Sequence, residues 1–278
     1  MEILNNELFQ YSFFTNAMLA ALFASITCGI IGTYIVSRRI VFISGGITHA
    51  SFGGIGIAYY IGINPIVGAA LFSIFSALGI EYITKQSDIR QDSAIGIWWS
   101  FGMAIGIIFI YLTPGYAPNL MSYLFGSILN VSLYNLLFMG GMVIVLIVFF
   151  TVFYRFILFI SFDETYAKTH RLPVNLMNYI LMILVGLTVV LNIRIVGIIL
   201  VLSLLTIPQT IANLFVKKFR SIMIYAILIS FIGSLSGLFI SYALDIPSGA
   251  TIIFSLVLLF ILARGILALT RFIRFRIS

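Results

Sequence analysis

A single histidine lies in a stretch of the sequence that is otherwise apolar and rich in glycine. His49 falls within 43-ISGGITHASFGGIGIAYYIGINP-65, together with the glycines Gly45, Gly46, Gly53, Gly54 and Gly56. At helical spacing, Gly45, Gly53 and Gly56 share a face with His49, so an imidazole projects from a face that a neighbouring backbone can approach closely. An ionisable side chain in an apolar span is costly and indicates function by default. His49 is therefore a candidate pathway ligand, and the alternative is a histidine hydrogen-bonded between packed helices.

A metal site needs more ligands than one imidazole. Zinc usually takes three or four nitrogen, sulfur or oxygen ligands, whereas the chain has 2 histidines and 1 cysteine. Asp245, in 244-LDIPSG-249, is a second candidate ligand, and its alternative role is ordinary turn chemistry. We expect Cys28 to be inert packing. If two copies of the chain meet at the face that carries His49, both imidazoles can serve one pathway.

The segment 161-SFDETYAKTHRLP-173 is the most charged stretch in the middle of the chain. Ser161 as an N-cap, followed three residues later by Glu164, predicts a capping box, and Pro173 predicts the helix end. We expect a short cytoplasmic helix over about 161–172 that inserts into a groove of a partner protein. A solvated loop helix without a partner is the alternative.

A proline interrupts the apolar segment 196-VGIILVLSLLTIPQTIANLF-215. Pro208 cannot donate a hydrogen bond to the residue four positions back, so we expect a kink or break in the inner half of this span. Such breaks are tolerated where a side chain or a cavity satisfies the freed carbonyl group.

The composition determines which elements position these residues. The 278 residues are 62% hydrophobic and 8% charged, against about 45–50% and 25% in soluble globular proteins. Soluble enzymes, secreted disulfide scaffolds and disordered chains are excluded. The apolar runs predict an all-α polytopic membrane protein, with residues 1–278 as a single transmembrane domain of nine spans, or eight as the alternative count. The expected spans are roughly 14–37, 45–63, 65–84, 93–113, 132–153, 174–192, 195–215, 221–243 and 249–269.

Basic residues predict the orientation in the membrane. Nearly all of the 15 Lys and Arg residues fall on alternate loops, and positive loops remain in the cytoplasm. This places the N-terminus outside and the C-terminus inside a multi-pass protein of the cytoplasmic membrane. The outer connections are then 114-PGYAPNL-120, a turn at Asn192 and 244–249. The net charge of +7 is thus an orientation signal, and no nucleic-acid partner is expected.

The sequence contains no phosphate-binding GxxxxGK[ST] loop, no nucleophile with a base and no HExxH motif. We expect no enzymatic activity and no cofactor intrinsic to this chain. If nucleotide powers transport, another chain must supply the ATPase.

The motifs described above, taken in order, resemble those of the metal-type ABC transporter permeases, the membrane subunits of bacterial and archaeal zinc, manganese and iron importers. The segment around His49 is similar to the family's "GDA-(L/I)-SHA-x-x-PG" motif, and the charged segment is similar to its "SFD-x-x-(F/Y)-A-x-x-x-G" helix. The matching segments are Arg38-Arg39, 46-GITHASFGGIGIAYYIGINP-65, 90-RQDSAIGI-97, 122-SYLFGSIL-129, 161-SFDETYAKTHRL-172, 196-VGIILVLSLLTIP-208 and 245-DIPSGATI-252.

The resemblance implies a type II ABC importer permease architecture that works by alternating access. It implies a second permease copy, a separate ABC subunit that binds ATP, and an extracytoplasmic metal-binding protein that delivers a divalent metal as substrate. His49 matches the motif histidine. The residues assigned to ATPase coupling are Asp163, Glu164, Tyr166, Ala167 and Lys168, and those assigned to helix packing and gating are Gly45, Gly46, Gly53, Gly54 and Pro208.

The sequence departs from the family motif next to the histidine. The motif has an aspartate one helical turn before the histidine, where an acid and an imidazole can bind a divalent cation together, and we match that position to Gly46. A site built on His49 and neutral groups favours zinc over manganese, because manganese prefers carboxylate ligands. Manganese and iron are the other candidates.

Two other transporter classes remain as alternatives. An ABC permease for a metal chelate such as a siderophore or haem would share the architecture, but would need a wider pathway lined by aromatic residues. An ion-coupled secondary transporter would need no ATPase, but such folds usually contain inverted repeats, and the sequence has no repeat.

Overall fold

The computed structural model describes residues 12–86, 89–114, 128, 131–170 and 172–277. Within these ranges the chain forms twelve α-helices and no β-strand. The helices are α1 (Ser12–Ser37), α2 (Val41–Ile61), α3 (Pro65–Gln86), α4 (Gln91–Leu112), α5 (Leu133–Val152), α6 (Tyr154–Phe162), α7 (Glu164–Thr169), α8 (Val174–Val196), α9 (Ile198–Leu204), α10 (Ile207–Phe215), α11 (Phe219–Leu244) and α12 (Ser248–Ile277).

Nine segments in the described part of the chain are long and apolar enough to cross a membrane. They are α1, α2, α3, α4, α5, α8, α9 together with α10, α11 and α12. This confirms the all-α class and the count of nine spans over the alternative count of eight. The predicted connection 114–120 after Pro114, and the segment 122–129 apart from Ile128, lie outside the described residues.

Helix α2 lies at the centre of one half of the molecule and packs between α3 and α4. Glycines allow this packing at backbone distance. A Cβ atom on Gly53 would lie 2.8 Å from the carbonyl oxygen of Gly102 in α4, and one on Gly54 would overlap the Gly68 carbonyl in α3. Because a larger residue at either position would push the helices apart, Gly53 and Gly54 hold α2 tightly against both neighbours.

The turn between α8 and α9 differs from the predicted one. Asn192 was expected to form an outer turn, but α8 continues to Val196 and the turn is at Gly197, which has a positive φ of 81°. Asn192 is buried inside α8 and donates hydrogen bonds to the Thr188 carbonyl at 2.7 Å and to the Thr27 hydroxyl of α1 at 3.1 Å. The polar residue thus joins two helices in the core, where its amide nitrogen finds two acceptors.

The predicted break at Pro208 lies between α9 and α10. Helix α9 ends at Leu204, and Pro208 is in the first turn of α10. The Nε2 group of Gln209 donates to the Leu204 carbonyl at 3.1 Å and to the Cys28 carbonyl of α1 at 2.8 Å. Gln209 is fully buried. Its side chain therefore gives a hydrogen-bond partner to a carbonyl group next to the break and connects the break to α1. The sequence did not reveal this role.

We expect Gln209→Leu to lower the free energy of unfolding in detergent by about 1–3 kcal/mol, because the buried Leu204 carbonyl would lose its partner. Thr210→Val is the matched control, since the Thr210 hydroxyl is exposed and bonds only within its own helix. Unfolding of both variants is followed by circular dichroism during SDS titration. Equal losses in the free energy of unfolding of the two variants would show that the Gln209 hydrogen bonds do not stabilise the break.

Candidate functional site

His49 lies in the middle of α2 and stacks on Trp99 of α4. The ring centroids are 4.2 Å apart and the planes differ by 4°. His49 is half-buried, and Trp99 is 38% exposed. No described group forms a hydrogen bond with the imidazole nitrogens, in contrast to the interhelical hydrogen bond considered as the alternative role. The ring is held by stacking, while its nitrogen atoms are left available to a ligand.

One residue of α9 contacts α2 near this face and begins a row of partly exposed residues along α9 and α10. The row begins at Leu202, whose Cδ1 is the nearest neighbour of Gly45, and continues at four-residue spacing with Thr206 and Thr210. The hydroxyls of both threonines donate within their own segment, Thr206 to the Leu202 carbonyl at 2.8 Å and Thr210 to the Thr206 carbonyl at 2.7 Å. Their oxygen lone pairs can still accept a hydrogen bond or face a cation.

The positions of Gly45 and Gly46 correct the match to the family motif. A Cβ on Gly46 would collide with the Ile95 side chain of α4, so position 46 points into the α2–α4 contact. Gly45 lies one turn before His49, and a Cβ there would meet only Leu202, at 3.8 Å. In the motif the aspartate also precedes the histidine by four positions. The missing acid therefore corresponds to Gly45, and our assignment to Gly46 was wrong.

Asp245 is the C-cap of α11 and adopts a left-handed conformation with φ 54°. It is exposed, and its turn is closed by a hydrogen bond from the Ser241 hydroxyl to the Ile246 carbonyl at 2.6 Å. Among the described residues, no group of three His, Cys, Asp or Glu side chains could hold a metal ion. The structure thus gives Asp245 a role in the turn and brings no cluster of ligands to His49 within one chain.

The charged segment forms a shorter helix than predicted. Asp163, not Ser161, is the N-cap of α7, and its carboxylate accepts a hydrogen bond from the Tyr166 backbone N–H at 2.8 Å. Ser161 ends the preceding helix α6, where its hydroxyl donates to the Ile157 carbonyl. The capping box is therefore wrong, because Ser161 already belongs to another helix, and α7 covers only Glu164–Thr169.

The five predicted coupling residues divide between two sides of α7. Ala167 is fully buried, and Glu164 is turned toward the membrane domain. Tyr166 is 47% exposed and stacks edge-on against His170, while the Lys168 side chain is 57% exposed. Asp163 caps the helix at its exposed start. A partner protein would thus meet Tyr166 and Lys168, whereas Ala167 and Glu164 fix the helix to the rest of the chain.

Arg38, at the end of α1, joins α7 to two spans. Its guanidinium group forms an ion pair with Glu164 at 2.9 Å and donates to the Asn178 side chain of α8 at 2.8 Å and to the Tyr34 hydroxyl at 3.2 Å. Glu164 also pairs with Lys168 at 3.1 Å. Arg38 was expected to lie in a positive loop and, with Arg39, to match a family segment at the end of the first span. The contact could not be predicted from the sequence pattern, since 126 residues separate Arg38 from Glu164.

The electrostatic surroundings of Glu164 keep it ionised. Partial burial alone would raise the pKa of this carboxyl, but the hydrogen bond from Lys168 and the positive charges of Arg38, Lys168 and Lys85 outweigh burial and lower the pKa below its ordinary value. Because the folded-state pKa is lowered, the ion pair with Arg38 is present at neutral pH and is lost only as the pH falls through that lowered value.

Comparisons with known proteins agree with this architecture. The chain is 43% identical over 244 residues to an uncharacterised membrane protein of Synechocystis, covering 88% of this chain and 87% of that protein. It is 35% identical over 266 residues to the manganese transport system membrane protein MntC of Listeria monocytogenes, covering 94% and 95%. Among solved structures, PsaBC from Streptococcus pneumoniae in complex with Fab is 30% identical, with a TM-score of 0.82 and 93% of each chain covered.

The profile of the ABC 3 transport family matches residues 10–266. The match spans the helices that carry His49, Trp99, Arg38 and the α7 segment. The chain is a multi-pass membrane permease and belongs to the ABC 3 transport family.

Proposed function

We propose that the chain forms the translocation pathway of an ATP-driven importer of divalent transition-metal ions. The observation that carries this proposal is the imidazole of His49, which lies in mid-span without a hydrogen-bond partner among the described residues and is only half-buried. An ionisable group in such a place is costly unless it faces a polar path. We infer that the path continues along the row that begins at Leu202, where Thr206 and Thr210 carry partly exposed hydroxyls.

The pathway requires a second copy of the permease. The face that carries His49 and Trp99 is partly exposed in a single chain, where it would otherwise meet lipid. A two-fold axis along this face would bring two His49 imidazoles to one path and remove both from lipid. Two imidazoles with hydroxyl or water oxygens are an adequate ligand set for a transient metal ion.

A separate ATP-binding subunit drives the permease by contact with α7. Tyr166 and Lys168 face outward and are the residues that such a subunit would contact, while Glu164 passes the movement to α1 through Arg38. Closure of two ATP-binding subunits would rock the two permease copies about the central path. In this arrangement α7 and the C-terminus lie in the cytoplasm, the N-terminus lies outside, and an extracytoplasmic metal-binding protein delivers the ion.

Manganese is the first candidate substrate, because relatives that are 33% and 35% identical are named manganese transport system membrane proteins. Zinc is the second candidate, and the absence of a carboxylate at position 45 favours it, since imidazole suits zinc better than manganese. A metal-chelate permease is the alternative, and the His49 imidazole, which can bind a bare metal ion, favours the ion over the chelate.

The substrate proposal is tested by the binding of Mn²⁺ and Zn²⁺ to the purified permease with its ATPase. We expect His49→Ala to weaken binding of the transported ion at least about tenfold, a difference of about 1.4 kcal/mol. His170→Ala is the matched control, because it removes the other histidine, which is exposed beside α7. Unchanged affinity in His49→Ala would exclude His49 as a ligand.

A further inference from the structure

A cleft of about 540 Å³ opens on the side of the molecule formed by α1, α5 and α11. Its walls are mostly aliphatic, with Ile26 and Ile30 from α1, Ile147 from α5 and Ile227 from α11. Helices α1 and α11 close its floor, because Gly29 allows Ile227 to pack directly on the α1 backbone. The cleft does not include His49, Trp99 or the threonines of the proposed pathway, so the metal path does not account for it.

The lining changes from polar to apolar in the same direction on two antiparallel helices. On α11, Arg220 in the first turn is followed by Ile224 and Ile227 on the same face. At the end of α5 and the start of α6, Tyr154 and Thr151 lie at the polar end and Ile147 one turn deeper. In both rows the two ends are seven positions apart, about 10 Å along the helix. A ligand that fits this gradient has a polar head at the membrane surface and an apolar chain directed into the bilayer.

The positive charge at the polar end of the cleft favours an anionic head group. Arg220 lies in the basic segment 217-KKFR-220, and it is exposed. Among the described residues, no carboxylate forms an ion pair with Arg220. Basic groups at a membrane surface between transmembrane helices attract anionic lipid head groups. Tyr154 and Thr151 line the same cleft, and their hydroxyls can donate to a head group.

We propose that this cleft binds an anionic phospholipid, with one acyl chain between α1, α5 and α11 and the phosphate on Arg220. Only the assignment to the cytoplasmic leaflet rests on the proposed orientation. The bound lipid fills the cleft between α5 and the packed pair α1 and α11, and thereby supports the packing of the three helices in the bilayer.

The experiment uses the full chain, stripped of lipid in mild detergent and titrated with dioleoyl phosphatidylglycerol or dioleoyl phosphatidylcholine. Bound lipid is counted by native mass spectrometry. We expect phosphatidylglycerol to bind about fivefold more tightly than phosphatidylcholine, and Arg220→Gln to abolish that preference. Ile224→Trp places a large ring in the cleft at an exposed position and should weaken both lipids. Equal binding of the two lipids by the wild type would overturn the proposal.

Arg155→Gln is the matched control, because Arg155 is exposed next to Tyr154 but does not line the cleft. It removes the same charge and should leave the preference for phosphatidylglycerol intact. Loss of the preference in this variant as well would mean that general surface charge, and not the cleft, attracts the lipid. Displacement of the lipid by inorganic phosphate would indicate a simple anion site and would also overturn the proposal. Neither outcome bears on metal transport, so the proposed function is tested separately.

Discussion

Gly45→Asp is expected to raise the affinity of the permease for Mn²⁺ at least about tenfold. The new carboxylate would lie one turn before His49, where a Cβ meets only Leu202 at 3.8 Å. At an effective dielectric constant of 20, a carboxylate and a cation 4 Å apart attract each other by about 4 kcal/mol per unit charge. A net gain of about 1.4 kcal/mol in binding free energy, or tenfold in affinity, therefore remains after a large desolvation cost. Binding is measured by titration of Mn²⁺ and Zn²⁺ into the purified permease, and the gain should be larger for Mn²⁺.

Gly46→Asp is the matched control for this prediction. It introduces the same acid one position later, where the Cβ would collide with Ile95 of α4. We expect no gain in Mn²⁺ affinity and a loss of about 1–3 kcal/mol in stability from overpacking. Adding Ile95→Ala should recover part of that stability without creating a metal site. An equal gain in affinity at positions 45 and 46 would contradict the faces that we assign to these residues.

Arg38→Met is expected to reduce ATP-driven metal uptake at least about tenfold while the protein still folds. The substitution keeps an apolar stem but removes the ion pair with Glu164 and the hydrogen bonds to Asn178 and Tyr34. Breaking a fully buried pair costs about 3–5 kcal/mol. The side chains of this pair are 18% and 26% exposed and Glu164 retains Lys168, so the loss of stability should be smaller. Uptake is measured in proteoliposomes that contain the permease with its ATPase.

Lys85→Met is the matched control for the Arg38 connection. Lys85 pairs with Glu81 at 2.9 Å and donates to Asn175 of α8, so it also joins two spans. Among the described residues it forms no hydrogen bond or ion pair with α7, on which it acts only through its charge near Glu164. We expect near-normal uptake in this variant. A double-mutant cycle of Arg38→Met with Glu164→Gln should be strongly non-additive, because each substitution breaks the same connection. Additive effects would mean that Arg38 acts on uptake by another route.

The sequence alone was sufficient to predict the architecture. Long apolar runs in a chain with 8% charged residues require spanning helices, because a backbone in lipid must satisfy its own hydrogen bonds. Pro208 predicted its break for an equally local reason, the missing backbone N–H. The charged segment 161–172 predicted a helix between two spans, but the predicted N-cap residue was wrong. Asp163 and Ser161 are both good caps, and only the end of α6 decides between them.

The tertiary structure decided which residues face each other. Gly45 and Gly46 are adjacent glycines in the sequence, yet one lies on the face of His49 and the other against Ile95, because successive helical residues point about 100° apart. Trp99, Gln209 and Asn178 showed no pattern of their own, since their partners are distant in the chain. Periodicity reports which side of a helix is apolar, whereas a specific polar partner depends on how neighbouring helices pack. That packing alone joins Arg38 to Glu164 and places the His49 imidazole on the Trp99 ring.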